Sequence, residues 1–281
     1  MIICVASGKG GTGKTTIATN LAAALGEGVQ YIDCDVEEPN GHLFLKPQIE
    51  YRETVSIPVP KVDLAKCDFC KKCADFCQFN ALAVLGKNVL VFPELCHSCG
   101  GCMLVCPQEA ISETGREVGI WEKGNGIGEV EFIHGHLRIG EAQAVPLIER
   151  VKKEIKPEKT AIVDAPPGTS CPVIATLKGA DFVVLVTEPT PFGLHDLKLA
   201  VGVTRILNLP MGVVVNRADL GDKGVFDYCA EEGIPILMAI PFGRDIAEHY
   251  AHGELLVKDK KWREQFLGLF EKIKENIGRE K

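Results

Sequence analysis

Residues Gly8 to Thr15 read GKGGTGKT and fit the spacing GxxxxGK[ST], with Gly8, Gly13, Lys14 and Thr15 in the defining places. Glycines at this density let the backbone turn its N–H groups toward a single point. A helix starting at the end of the loop adds partial positive charge there, so the β- and γ-phosphates of a nucleotide would sit in a fixed nest of donors. Gly10, Gly11, Thr12 and Thr16 complete that nest. Lys14 would neutralise phosphate charge and the Thr15 hydroxyl would hold Mg²⁺. The flanks agree: Ile2 to Ser7 is a short β-branched apolar run, and Thr15 to Leu25 is rich in Ala and Leu and compatible with a helix.

Eight of the twelve cysteines form a second constellation. Cys67, Cys70, Cys73 and Cys77 have the spacing CxxCxxCxxxC, and Cys96, Cys99, Cys102 and Cys106 repeat it, ending in Cys106-Pro107. The pattern resembles that of bacterial ferredoxins, in which three thiolates wrap one cuboidal cluster and the fourth cysteine ligates the other. By that rule Cys67, Cys70, Cys73 and Cys106 hold one [4Fe-4S] cluster, and Cys96, Cys99, Cys102 and Cys77 hold the second. Gln78 departs from the pattern, because ferredoxins place a proline after the fourth cysteine. Zinc ribbons use CxxC pairs, but the third and fourth cysteines here do not suit a closed tetrahedral site. A disulfide framework fits poorly too, since no signal peptide precedes Met1.

Lys9, directly after the first glycine, makes the loop resemble the deviant Walker A motif of the MinD, ParA and nitrogenase-iron-protein superfamily. The resemblance implies that Lys9 reaches the phosphates of a second subunit, so that closure of a homodimer depends on ATP. It also implies roles further along. In the triplet DCD, Asp35 would orient or deprotonate the attacking water and Asp33 would contact a Mg²⁺ water. Asp164, at the end of TAIVD, would be the Walker B carboxylate, and the Gly168 amide in the following APPG would sense the γ-phosphate. Asn216, with Arg217 beside it, matches the family's adenine-reading asparagine, and Pro241 begins a PFGRD segment placed beside the base.

These groups need a scaffold, and the apolar runs supply one. Val29 to Cys34, Thr160 to Asp164, Phe182 to Thr187, Met211 to Arg217 and Ile236 to Ile240 read as buried parallel strands. Helical stretches such as Ala142 to Lys156 and His195 to Leu207 alternate with them. The expected fold is α/β, a doubly wound, mostly parallel P-loop NTPase sheet interrupted by a small inserted α+β ferredoxin-like domain with two clusters. Its parts are residues 1–57 and 114–281 for the ATPase and 58–113 for the insert. The Pro-punctuated IPVPKVD and the Gly-rich GREVGIWEKGNGIG read as junctions, the latter a hairpin or loop. At 281 residues and 46% apolar content the chain can bury a sizeable core.

A net charge of −7 argues against a nonspecific nucleic-acid surface. No apolar stretch is long enough to span a bilayer. Reduced thiols without a targeting sequence point to the cytoplasm. Trp262, Phe266, Leu269, Phe270, Ile273 and Ile277 form a helical apolar stripe, which more often docks on its own domain than on a membrane. The order of motifs resembles MinD-superfamily ATPases containing an inserted ferredoxin domain. What this implies is an ATP-hydrolysing iron-sulfur protein, with ATP, Mg²⁺ and two clusters as cofactors. Nucleotide-dependent dimer closure would control electron transfer to an unidentified redox partner. The alternative is a cluster carrier or assembly ATPase acting on an apo-protein, with membrane positioning a weaker third reading.

Overall fold

The computed structural model describes residues 1–279. Its strands are β1 (Ile2–Ala6), β2 (Val29–Asp33), β3 (Gln48–Val62), β4 (Leu82–Leu85), β5 (Asn88–Val91), β6 (Ile111–Asn125), β7 (Glu131–Leu137), β8 (Thr160–Asp164), β9 (Phe182–Thr187), β10 (Met211–Asn216) and β11 (Ile236–Ile240). The helices are α1 (Lys14–Leu25), α2 (Gly41–Leu45), α3 (Lys72–Phe76), α4 (Gly101–Leu104), α5 (Val145–Lys152), α6 (Cys171–Leu177), α7 (Pro191–Ile206), α8 (Gly224–Glu231), α9 (Arg244–Ala251) and α10 (Lys260–Arg279). Nine strands form one sheet in the order β11-β10-β9-β1-β8-β2-β7-β6-β3. From β11 to β7 every pairing is parallel, and β6 and β3 add an antiparallel edge.

The central parallel strands β1, β8, β9 and β10 are mostly apolar because both their faces are covered. Successive side chains divide between two cores with period two. In β9, Phe182, Val184 and Val186 face α1 and α10, while Val183 and Leu185 face the layer of α5 to α8. The C-terminal stripe lies on the first face. Trp262, Phe266, Leu269 and Ile273 are buried against it, with Phe270 and Ile277 packed at its margin. That stripe is part of the core, and no helix among the described residues is long and apolar enough to cross a membrane.

The antiparallel edge differs from the sequence expectation. The Pro-punctuated junction is extended and the Gly-rich one takes its hairpin alternative, but both are parts of two 15-residue strands paired from Gln48↔Asn125 to Val62↔Ile111, not short connections. Pro58 and Pro60, two positions apart, direct their missing N–H groups the same way, which an edge strand tolerates on its unpaired side. Only Gly119 to Asn125 also pairs with β7. The remaining Ile111 to Val118 runs on with β3 past Leu137, the last residue of β7, as a two-stranded ribbon about 25 Å long, anchored by Val118 and Ile57 in the core and by the Arg116–Glu141 ion pair. All eight cysteines of the two runs lie beyond its tip, between Val62 and Ile111.

Candidate functional site

Carboxyl ends of parallel strands are where open α/β sheets bind ligands, and the phosphate loop lies at such an end between β1 and α1. Gly13 opens α1 at φ +96°, a conformation L side chains rarely adopt, and a Cβ there would come within 2.6 Å of Asn216 Nδ2. Asn216 Nδ2 donates to the Thr12 carbonyl at 2.9 Å, and its Oδ1 accepts from the Arg217 amide. The end of β10 is thus laced to the loop. Lys14 is buried at the base of α1.

The loop opens into a cleft of about 450 Å³, inside the ~300–1,000 Å³ range of small-molecule sites. Gly10, Gly11, Gly13, Lys14, Thr15, Thr16, Asp35, Asn216, Arg217 and Pro241 all line it. The far wall comes from Phe242, within the PFGRD segment expected beside the base, and from Ile246 and Tyr250 on α9, which the sequence did not single out. These give the cleft one polar end, at the glycines, and one apolar end.

Three aspartates surround the polar end. Asp164 closes β8 fully buried, and its Oδ2 accepts from the Tyr31 hydroxyl at 3.0 Å while Oδ1 has no hydrogen-bond partner. Burial raises its pKa, against the opposing pull of the Thr15 hydroxyl and the Lys14 charge. An orphaned buried acceptor next to a threonine hydroxyl fits a hydrated cation. Asp33, register partner of Asp164 across β2 and β8, accepts from the amides of Asp35 and Gly41 at 3.1 Å each. Burial and the Asp164 charge drive its pKa well up. Both its oxygens are engaged in holding the Asp35 to Gly41 loop. Asp35 itself faces the cleft, and its pKa is pushed up to about 6 by burial and by Asp164, with Lys14 opposing.

Gly8, Lys9, Thr12 and Gly168 stand outside the cleft lining. Gly8 is in close approach to α7, where a Cβ would meet the Asp196 carbonyl at 2.1 Å. Lys9 Nζ lies 3.8 Å from Glu188 Oε2, and Glu188 also takes the Arg217 guanidinium at 2.8 Å. Thr12 is buried with its hydroxyl unpartnered. The Gly168 amide donates to the Ser7 carbonyl at 3.1 Å, so engaging a phosphate would require that bond to be exchanged.

Past the ribbon tip, the eight cysteines come together in two sets. One cavity is lined by Cys67, Cys70, Cys73 and Cys106 with Val62, Val84 and Ile111. The other is lined by Cys77, Cys96, Cys99 and Cys102 with Pro58, Pro60 and Leu82. Each set takes three cysteines from one run and the last cysteine of the other. The backbone repeats as well: amides of Phe69 and Ser98 donate to Cys67 and Cys96 sulfurs at 3.4 Å, and those of Ala81 and Ala110 to Cys77 and Cys106 at 3.3 Å. Positive φ recurs at matching places, Phe69 with Ser98, Lys71 with Gly100 and Asn80 with Glu109. Across the repeat the Phe79 and His97 rings stack at 3.7 Å. None of the twelve cysteines is in a disulfide; Cys4, Cys34 and Cys229 are buried in the sheet cores and Cys171 is exposed at the start of α6.

A family profile described as the CobQ/CobB/MinD/ParA nucleotide binding domain matches residues 3–257. An uncharacterized protein of Methanocaldococcus jannaschii is 33% identical over 265 residues, covering 92% of each chain. An iron-sulfur cluster carrier protein of Pyrococcus abyssi is 26% identical over 258 residues, covering 85% of this chain and 73% of its own. Among solved structures, the septum site-determining protein MinD of Pyrococcus horikoshii, complexed with Mg-ADP, superposes with a TM-score of 0.58 at 21% identity. The match covers 97% of this chain and 95% of that one.

Proposed function

Because the chain belongs to the CobQ/CobB/MinD/ParA nucleotide-binding family, we propose that its phosphate loop binds and hydrolyses ATP to control electron transfer through two [4Fe-4S] clusters on residues 63–110. The observation that carries the reading is placement. The ribbon leaves the sheet at the carboxyl ends of the parallel strands, the side on which the phosphate loop opens, so both cysteine sets stand beyond the edge where nucleotide would bind. The cysteine sets fit such clusters, with four sulfurs apiece, apolar walls and N–H donors aimed at sulfur. When bound, the clusters would supply one-electron transfer.

In this reading Lys14 and the loop amides bind the β- and γ-phosphates. Thr15 and the free oxygen of Asp164 hold Mg²⁺, Asp164 through water, with Asp33 behind them. Asp35, tuned to about 6, is mostly ionised at neutral pH and accepts the proton of the attacking water. Asn216, Arg217 and Pro241 flank the base between Phe242 and Tyr250. Lys9 is held in cis by Glu188, and exchanging that partner for the phosphates of a second subunit would couple nucleotide to dimer closure. Gly168 would report the γ-phosphate by giving up its bond to Ser7.

The test is an anaerobic, iron-loaded preparation studied with MgATP, MgADP and no nucleotide. ATP-dependent dimerisation with a shift in cluster potential supports the proposal. One potential and one quaternary state throughout removes it. A second reading, cluster delivery, draws on the carrier proteins among the relatives and on the exposure of Cys70 and Cys99. ATP-stimulated appearance of a cluster on an apo-acceptor would establish it in place of electron transfer.

A further inference from the structure

On the sheet face covered by α2, strands β6 and β7 bring together Glu122, His134 and His136. Glu122 and His134 are register partners, and His136, two residues on, projects from the same face. Nε2 of His134 lies 2.9 Å, and Nε2 of His136 3.7 Å, from Glu122 Oε2. Taken together, one ligating atom from each residue lies within 4.8 Å of the other two. The two rings meet edge to face at 4.3 Å, and the His42 ring on α2 stands 5.8 and 6.3 Å from them. None of these residues lines the nucleotide cleft or the cysteine cavities.

A hydrogen-bonded His-Glu pair does not account for the whole cluster. The His134 side chain is 3% exposed, yet its Nδ1 has no hydrogen-bond partner, and Nδ1 of His42 is likewise buried and unpartnered. Burial lowers the pKa of His134 to about 4 and lowers that of His136. Both rings are therefore neutral at pH 7, with lone pairs available to a Lewis acid. Arg52 approaches the other oxygen of Glu122, Oε1, at 3.5 Å, which leaves Oε2 to the imidazoles.

We propose that Glu122, His134 and His136 form a site for a divalent transition metal of the zinc class, with His42 beside it on the α2 side. Two imidazoles and a carboxylate suit Zn²⁺, whereas Mg²⁺ and Ca²⁺ prefer sites built of oxygen. The location gives the ion a mechanical consequence. His134 is the register partner of Asp33, and Asp33 accepts from the amide of Gly41, the first residue of α2. A bound metal would stiffen β6 and β7 beside β2, whose Asp33 anchors the loop carrying Asp35.

The test uses the full, iron-loaded chain, in which the cysteines are occupied, stripped of loosely held metal and titrated with Zn²⁺ against a chromophoric chelator. X-ray absorption at the zinc edge then reads the donor atoms. The expected result is about one zinc per chain with nitrogen and oxygen neighbours only. His136→Gln, at a half-buried position, should weaken that binding by more than about tenfold, since even outer-sphere partners cost that much; MgATP affinity should not change. Zinc bound through sulfur alone, no zinc bound, or equal affinity in His136→Gln each overturns the proposal.

Discussion

Removing the carboxylate of Asp35 isolates the hydrolysis step from nucleotide binding. Asp35 is half-buried at the cleft, with a pKa of about 6 set by burial and by Asp164 against Lys14. At that value the side chain is about nine-tenths ionised at pH 7, about half at pH 6 and about one-tenth at pH 5. If the ionised form is the base, kcat/KM for MgATP, which follows the groups of the free enzyme, rises roughly tenfold from pH 5 to pH 7 and then levels off. Asp35→Asn is nearly isosteric and cannot accept the proton, so kcat should fall by about 10²–10⁴-fold with nucleotide affinity little changed. The assay is steady-state phosphate release across pH 5 to 8 for both proteins, with nucleotide affinity measured separately by equilibrium binding. The variant's residual rate should lack the acid limb. A variant that keeps wild-type kcat, or a wild-type profile flat from pH 5 to 7, would refute the assignment of Asp35 as base.

Cys106→Ala should leave one cysteine set intact, so a reconstituted sample should fall from about eight to about four iron atoms per chain. Loss should be at the set of Cys67, Cys70 and Cys73, and iron analysis with electron paramagnetic resonance reads it. Glu131 sits among Lys123, Lys156 and Lys159 at 2.8 to 2.9 Å, which hold its pKa at about 2 despite burial. Its folded pKa lies below its unfolded value, so the stabilisation is complete above about pH 4.5 and fades as pH falls toward 2. Glu131→Gln should therefore lower stability by about 2–4 kcal/mol at pH 7, with the gap to wild type narrowing as pH falls below 4.5 in urea titrations. Phe266, fully buried on the inner face of α10, should cost about 3–5 kcal/mol on replacement by Ala, measured the same way.

The parallel core was plain in the residues because burial on both faces demands unbroken runs such as FVVLVT, and Phe182–Thr187 forms a strand with the expected limits. The polar end of the cleft was legible for a related reason: backbone donors need glycines at fixed intervals, and those intervals survive in one dimension. The antiparallel edge was not. Much of β3 is solvent-exposed, β6 is broken by Gly115, Gly119 and Gly124, and β7 carries two histidines, so none shows the apolar signature of a strand. Of the apolar wall of the cleft only Phe242, in the PFGRD segment, was within reach of the sequence; Ile246 and Tyr250 escaped because they come to line the cleft only once α9 is in place. Glu122 and His134 are twelve positions apart, and antiparallel pairing alone sets them face to face.

Val62 and Ile111 are register partners and the Asp63 amide donates to the Ala110 carbonyl at 2.8 Å, although forty-eight residues separate Val62 from Ile111 along the chain. An insertion whose ends are already zipped together places almost no loop-closure burden on its host. A two-residue Asn-Gly reversal could join the same two strands. The cysteine-bearing segment therefore has the mounting of a detachable cartridge. Trading it for a tight hairpin should leave the nine-stranded sheet able to fold, a route by which such proteins could gain or shed the segment in a single genetic event.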